Sequence, residues 1–179
     1  MQWLNEPRTW EIDGDTIRVT ADVGSDFWRK THYGFIRDNG HVLYTTVAGD
    51  FEVTVKVAGG YHELYDQAGL MVRVDAQHWM KCGIEYVHGV QYASAVVTRD
   101  FSDWSTAPLS PAPARCRITV KRMGTALEVY YAADDQPDVM IRQAYLPMGE
   151  SVQVGLMACS PGENSFEVEF VDYEVMRDA

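Results

Sequence analysis

An all-β fold of two antiparallel sheets packed face to face is what this sequence predicts, and three observations carry the prediction. Short runs that alternate apolar and polar residues recur from one end of the 179-residue chain to the other. Turn residues separate these runs, and no stretch sustains the heptads or the 3.6-residue period of a helix. The composition, 46% hydrophobic and 23% charged, supplies the apolar surface of a substantial core. The whole chain, 1–179, therefore reads as one sandwich domain.

In chain order, runs 9–12 and 16–22 flank the tight-turn pair Asp13-Gly14. Runs 33–37 and 41–46 flank Asn39-Gly40, a strong hairpin signal, because a type I′ turn needs positive φ at both central residues. Run 51–57 is the clearest: Phe51, Val53, Val55 and Val57 alternate with polar Glu52, Thr54 and Lys56, as a strand with one buried face requires. Runs 66–74 and 79–87 are close enough to pair, and a two-residue His88-Gly89 turn joins the second to run 90–99. The Pro-rich segment 107–114 cannot serve a sheet and reads as a surface loop. Met123-Gly124 marks a turn between runs 115–122 and 126–132, and runs 139–145 and 152–159 follow. In run 165–175, Phe166, Val168 and Phe170 share one parity and Val171, Tyr173 and Val175 the other. A bulge near Phe170 and Val171 keeps both sets inward.

Fifteen basic against twenty-six acidic residues give a net charge of −11, which repels nucleic acid and anionic membrane surfaces. The first residues lack a basic region followed by an apolar run, and no later segment reaches bilayer-spanning length, so neither export nor membrane insertion is expected. Cys82, Cys116 and Cys159 form an odd set inside strand-like runs, which points to free thiols in a reducing cytoplasm. The five histidines, His32, His41, His62, His78 and His88, show no metal-ligand spacing. No oxygen-ligand loop, nucleophile elbow, phosphate loop or dinucleotide fingerprint is present, so neither a metal nor a cofactor is expected.

Alternation assigns the faces of runs 66–74 and 79–87. Ala68, Leu70, Val72 and Val74 face the core with Met80, Cys82, Ile84 and Tyr86, leaving Gln67, Gly69, Met71 and Arg73 on the other face with Trp79, Lys81, Gly83 and Glu85. Like-charge repulsion disfavours Arg73 opposite Lys81. The remaining register pairs Arg73 with Trp79, Met71 with Lys81, Gly69 with Gly83 and Gln67 with Glu85. Two facing glycines imply a floor without side chains, open to close approach from outside and bounded by Gln67, Glu85 and Lys81. Lys81 and Glu85 sit roughly 13 Å apart along the strand, so each needs another partner. Tyr92, Ser94 and Thr98 join the same face. Six further aromatics fall in loop-like segments: Trp28, Tyr33, Tyr61, Tyr65, Phe101 and Trp104. Flat apolar faces with polar rims suit a sugar ring. Trp3 and Trp10 read as core or edge packing, whereas for Trp28, Trp79 and Trp104 ligand contact and structural packing both stay open.

Several words recur in one order: Ser25-Asp26-Phe27-Trp28, Tyr65-Asp66-Gln67-Ala68-Gly69-Leu70, Trp79-Met80-Lys81-Cys82-Gly83-Ile84-Glu85, Ser102-Asp103-Trp104-Ser105, Arg142 and Ala158-Cys159-Ser160-Pro161. Together they resemble a domain-of-unknown-function family of concanavalin A-like jelly rolls that includes a fungal regulation-of-enolase protein. The resemblance implies a two-sheet antiparallel jelly-roll sandwich of the lectin and glucanase type, and it brings Arg142 in as a neighbour of the site. The residues expected to contact a ligand are Gln67, Gly69, Trp79, Lys81, Gly83, Glu85, Asp103, Trp104 and Arg142. Three functions follow: binding of a carbohydrate or small polar metabolite, a glycosidase with Glu85 as acid or base, and a regulatory module for a protein partner. A glycosidase needs a second carboxylate about 5–9.5 Å from Glu85, for which Asp66 and Asp103 are candidates.

Overall fold

The computed structural model describes residues 1–177, so the last two residues of the expected 1–179 domain lie outside the described residues. All regular structure among the described residues is strand: β1 (Gln2–Leu4), β2 (Thr9–Asp13), β3 (Thr16–Ala21), β4 (Phe27–Arg29), β5 (Ile36–Asp38), β6 (His41–Ala48), β7 (Phe51–Gly59) and β8 (Gln67–Arg73). The second half contributes β9 (His78–Val87), β10 (Val90–Arg99), β11 (Phe101–Pro108), β12 (Cys116–Met123), β13 (Ala126–Ala133), β14 (Val139–Tyr145), β15 (Ser151–Cys159) and β16 (Phe166–Arg177). One seven-stranded antiparallel sheet runs β1-β6-β15-β8-β9-β10-β11, and a second runs β14-β13-β12-β7-β16-β3-β2. No helix among the described residues is long and apolar enough to cross a membrane.

The core lies between the sheets. Val53, Val55 and Val57 from β7 meet Leu70, Val72, Met80 and Ile84 from β8 and β9, all at most 2% exposed. Strict alternation in β7, buried at odd positions and half-buried at even ones, is what one apolar face dictates. Gly14 and Gly124 take φ of +58° and +60° in their turns, and His88 and Gly89 both have positive φ in the β9–β10 turn. In β16 the register against β7 shifts between Val171 and Glu174, with Asp172 at φ 55°. The bulge thus sits just past the expected position, and Tyr173 and Val175 still pack on the core.

The β8–β9 register is the one expected: Gln67 opposite Glu85, Gly69 opposite Gly83, Met71 opposite Lys81 and Arg73 opposite Trp79. Three other expectations are corrected. Asn39-Gly40 makes no hairpin, since β5 pairs with β4 rather than β6. Gly40 is needed for space, because a Cβ there would collide with Cys159 Sγ and the Phe27 ring. Asn39 instead ties down the chain near Asp26: its Oδ1 accepts from Asp26 N at 3.2 Å and its Nδ2 donates to Gly24 O at 3.0 Å. The run expected at 33–37 yields only the short β5. Lastly, residues 101–108, where the sequence leads one to expect loop in part, form β11 at the sheet edge, where Pro108 is tolerated.

The strands β4 and β5 make a small hairpin of their own. It lies as a flap on the outer face of the first sheet and seals a second apolar cluster: Phe27, Val42, Met71, Trp79, Val96, Met157 and Cys159. Arg73 grips Asp38 through two hydrogen bonds of 2.8 and 2.9 Å, while Arg29 and Lys30 pair with Asp100 at 2.9 and 2.7 Å.

Candidate functional site

Beside the flap, the outer face of the first sheet keeps one cleft of about 180 Å³. Its floor comes from Gln67 on β8, Lys81 and Glu85 on β9, and Asp26, which precedes β4. Period-two geometry places Lys81 and Glu85 on one face and leaves them apart along β9. Gln67, Lys81 and Glu85 are 4%, 3% and 6% exposed, so water satisfies little of their polarity. Lys81 Nζ donates to Asp26 Oδ1 at 3.1 Å, and Gln67 Nε2 donates to the Tyr65 carbonyl at 3.1 Å. Ser94 Oγ and Trp104 Nε1 donate to Glu85 Oε2 at 2.6 and 2.8 Å. Among the described residues nothing donates to Glu85 Oε1.

Burial pushes the Glu85 carboxyl above its ordinary range, and the opposing pull of Lys81, Ser94 and Trp104 does not undo this. For Lys81 burial works against the ammonium, but neighbouring negative charge, Asp26 first, holds its pKa above the ordinary value. The walls are aromatic. Trp28, Tyr33 and Phe35 come from the flap, Tyr65 from the loop before β8 and Trp104 from β11, and Pro161 completes the rim. Tyr33 and Phe35 stack at 5.4 Å, and the Tyr33 and Tyr65 hydroxyls lie 2.9 Å apart. That hydrogen bond, with burial, pushes the Tyr65 hydroxyl up to about 12.

Of the residues expected to contact a ligand, Gln67, Lys81, Glu85 and Trp104 line this cleft. Gly69 and Gly83 are buried and do not form an open floor. A Cβ on either would run into the opposing backbone, so the pair serves close strand approach. Gly83 borders only a small niche between Gln67, Lys81, Glu85, Ser94 and Met157. Trp79 is 0% exposed, lies under the flap with its ring 6.0 Å from Phe27, and is shut off from solvent. Asp103 and Arg142 stand away from the cleft, because neighbours on a strand face opposite ways and Trp104 takes the outward side. Arg142 pairs with Asp103 at 3.3 Å and donates to Ser105 Oγ at 3.2 Å, clasping β14 to β11 across the sandwich edge.

Neither carboxylate suggested as a second acid stands beside Glu85. Asp66 is fully buried and accepts from the His62 and Glu63 amides and the Ser160 hydroxyl. This fixes the loop that carries Tyr65. The carboxylate the cleft does hold is Asp26, which sequence reasoning left unassigned although it lies in the Ser25–Trp28 word. Tyr61 packs into the core against Phe166, and Phe101 lies at the surface under Lys30. Phe35 was missed altogether. A larger groove of about 560 Å³ crosses the outer face of the second sheet. Its Arg18 is engaged by Glu11 and Glu169 in exposed pairs, and the groove holds no buried charge.

Residues 3–177 match the family described as "Protein of unknown function (DUF1349)". The chain is similar to "Regulation of enolase protein 1" of Saccharomyces cerevisiae, 38% identical over 176 residues covering 97% of this chain and 87% of the relative. It also superimposes on a crystal structure of a functionally unknown protein from Saccharomyces cerevisiae with a TM-score of 0.94, at 35% identity over 99% of this chain and 96% of the other. The carbohydrate-binding module CBM66 from Bacillus subtilis shares the sandwich alone, at TM-score 0.62 and 12% identity over 98% of this chain and 95% of that one. The fold is a two-sheet antiparallel jelly roll.

Proposed function

Since the chain belongs to the DUF1349 family of proteins of unknown function, we propose from the cleft itself that it binds a small hydroxylated ligand of the carbohydrate class. The observation that carries this reading is Glu85, a buried carboxylate lining an aromatic-walled cleft, with one oxygen held by Ser94 and Trp104 and no donor to the other among the described residues. Hydroxyl groups donating to a carboxylate make charge-assisted bonds, stronger than neutral ones. Aromatic rings offer flat faces to the C–H side of a sugar. The cleft volume is below the roughly 300 Å³ of drug-sized sites, so one ring or one chain end fits. The CBM66 likeness supports the fold's suitability for this task.

The experiment is a thermal-shift screen of monosaccharides followed by calorimetric titration of each hit. A ligand at a hundred times its Kd stabilises the folded state by about 2.7 kcal/mol, which for a domain of this size is a rise of about 5–10 °C. At least one monosaccharide is expected to give such a rise. No shift with any member of the panel overturns the reading.

A second reading, docking of a regulated protein on the same face, is favoured by Tyr33, Phe35 and Ile36, which stand 46%, 38% and 48% exposed on the flap. The name of the yeast relative supports it. Co-purification with enolase that persists in a Phe35→Ser, Ile36→Ser variant would count against it.

A further inference from the structure

We infer that the ligand of this cleft carries a cationic nitrogen, so that the preferred class is an amino sugar rather than a neutral one. The inference rests on the sugar reading above and narrows it.

The charges in the cleft do not balance. Its lining holds two carboxylates, Asp26 and Glu85, and one cation, Lys81. Lys81 is directly bonded to Asp26, which also accepts from the Phe27 amide at 2.7 Å. Among the described residues Glu85 receives two neutral donors and no ion pair. Nearby cations are engaged elsewhere: Lys30 and Arg29 with Asp100, Arg73 with Asp38, and the exposed Arg37 over the Phe35 ring at 5.2 Å. The walls are aromatic, and a cation that meets a ring face gains further attraction of the same sign. Burial holds the Glu85 proton on more tightly than usual, and Lys81, Ser94 and Trp104 offset this only in part. A protonated amine seated near Oε1 supplies the missing charge. It meets a desolvated carboxylate and π faces at once, and both interactions strengthen where water is excluded. The other titratable groups facing this point are Asp26 and Lys81 on the floor and Tyr33 and Tyr65 on the wall, with His32 packed 4.7 Å from the Tyr33 ring.

The test is calorimetric titration of the full chain at pH 7 with three matched pairs: glucose and glucosamine, galactose and galactosamine, mannose and mannosamine. In the pair that binds, the amine is expected to bind at least tenfold tighter. In Glu85→Gln, which keeps the shape and removes the charge, the preference should fall below about twofold. A second arm uses the unaltered protein and does not depend on the variant folding. The tighter amino sugar should lose affinity between pH 7 and pH 4, as Glu85 takes up its proton while the amine stays charged. Equal affinity within a binding pair, or an affinity independent of pH over that range, overturns the cationic preference and leaves the sugar reading standing. Binding by none of the six overturns the cationic preference, while the sugar reading falls only with the whole monosaccharide panel.

Discussion

Lys81 Nζ lies 3.1 Å from Asp26 Oδ1, and this ion pair, with a weaker bond of 3.4 Å from Gln67 Nε2 to the same oxygen, ties the flap segment to the sheet inside the cleft. The two partners are not equally dependent on it. The Asp26 side chain keeps 15% exposure and accepts from the Phe27 amide, whereas the Lys81 side chain keeps 4%.

Asp26→Ala is therefore expected to destabilise more than Lys81→Met. The first leaves a buried ammonium without its partner, at about 3 kcal/mol; the second replaces the cation with an apolar chain of similar length. Urea denaturation of both variants measures the difference. Equal midpoints would mean that Lys81 is sustained by something other than Asp26.

Burial shifts the Glu85 pKa upward, the opposite direction to a carboxylate held by an ion pair. Its folded pKa lies above the ordinary glutamate value of 4.5, so the folded state holds the proton more tightly than the unfolded one. The resulting stabilisation is fully present below pH 4.5 and is lost as pH rises through the folded pKa. Glu85→Gln should thus raise the melting temperature at pH 7 relative to the unaltered protein, with the gain vanishing toward pH 4. A loss of stability at pH 7 contradicts this sign.

Gly69→Ala and Gly83→Ala should each destabilise by at least about 2 kcal/mol, because the added methyl meets opposing backbone, which cannot swing aside like a side chain. Melting curves decide it. A tolerated alanine at either position would show that the strands separate easily there.

Arg142→Ala should leave ligand affinity unchanged and lower stability by about 1 kcal/mol or less, since its partner Asp103 is 61% exposed and the pair closes the sandwich edge. Trp104→Ala should weaken binding tenfold or more, through loss of a wall and of the donor to Glu85. The two titrations, run side by side, separate the cleft from the edge clasp.

The faces of β8 and β9 were legible because period-two alternation and like-charge repulsion between Arg73 and Lys81 together leave one register. The same alternation settles Asp103 and Trp104 once residues 101–108 are known to be a strand, but Pro108, the polar stretch and the Pro-rich segment beyond disguise that strand. The flap was not legible. Its strands have three residues each, too few for a periodic signal, and Asn39-Gly40 carries the residue types of a hairpin turn while serving to clear space for Phe27. Missing the flap makes the outer face of β8 and β9 look open. Aromatic composition in the loops nevertheless pointed to Trp28, Tyr33, Tyr65 and Trp104, which line the cleft.

Asp26, Trp28, Tyr33 and Phe35 all arrive on the segment that carries the flap, so the cleft is whole only while that segment is docked. Local opening and ligand release are then linked equilibria. The amide protons of Lys30 and Gly34, bonded within the hairpin, exchange with solvent at a rate set by the opening free energy. Any ligand that needs the docked state must slow that exchange, by about a hundredfold when present at a hundred times its Kd. Deuterium uptake at the hairpin thus reads occupancy of the cleft without a label on the ligand.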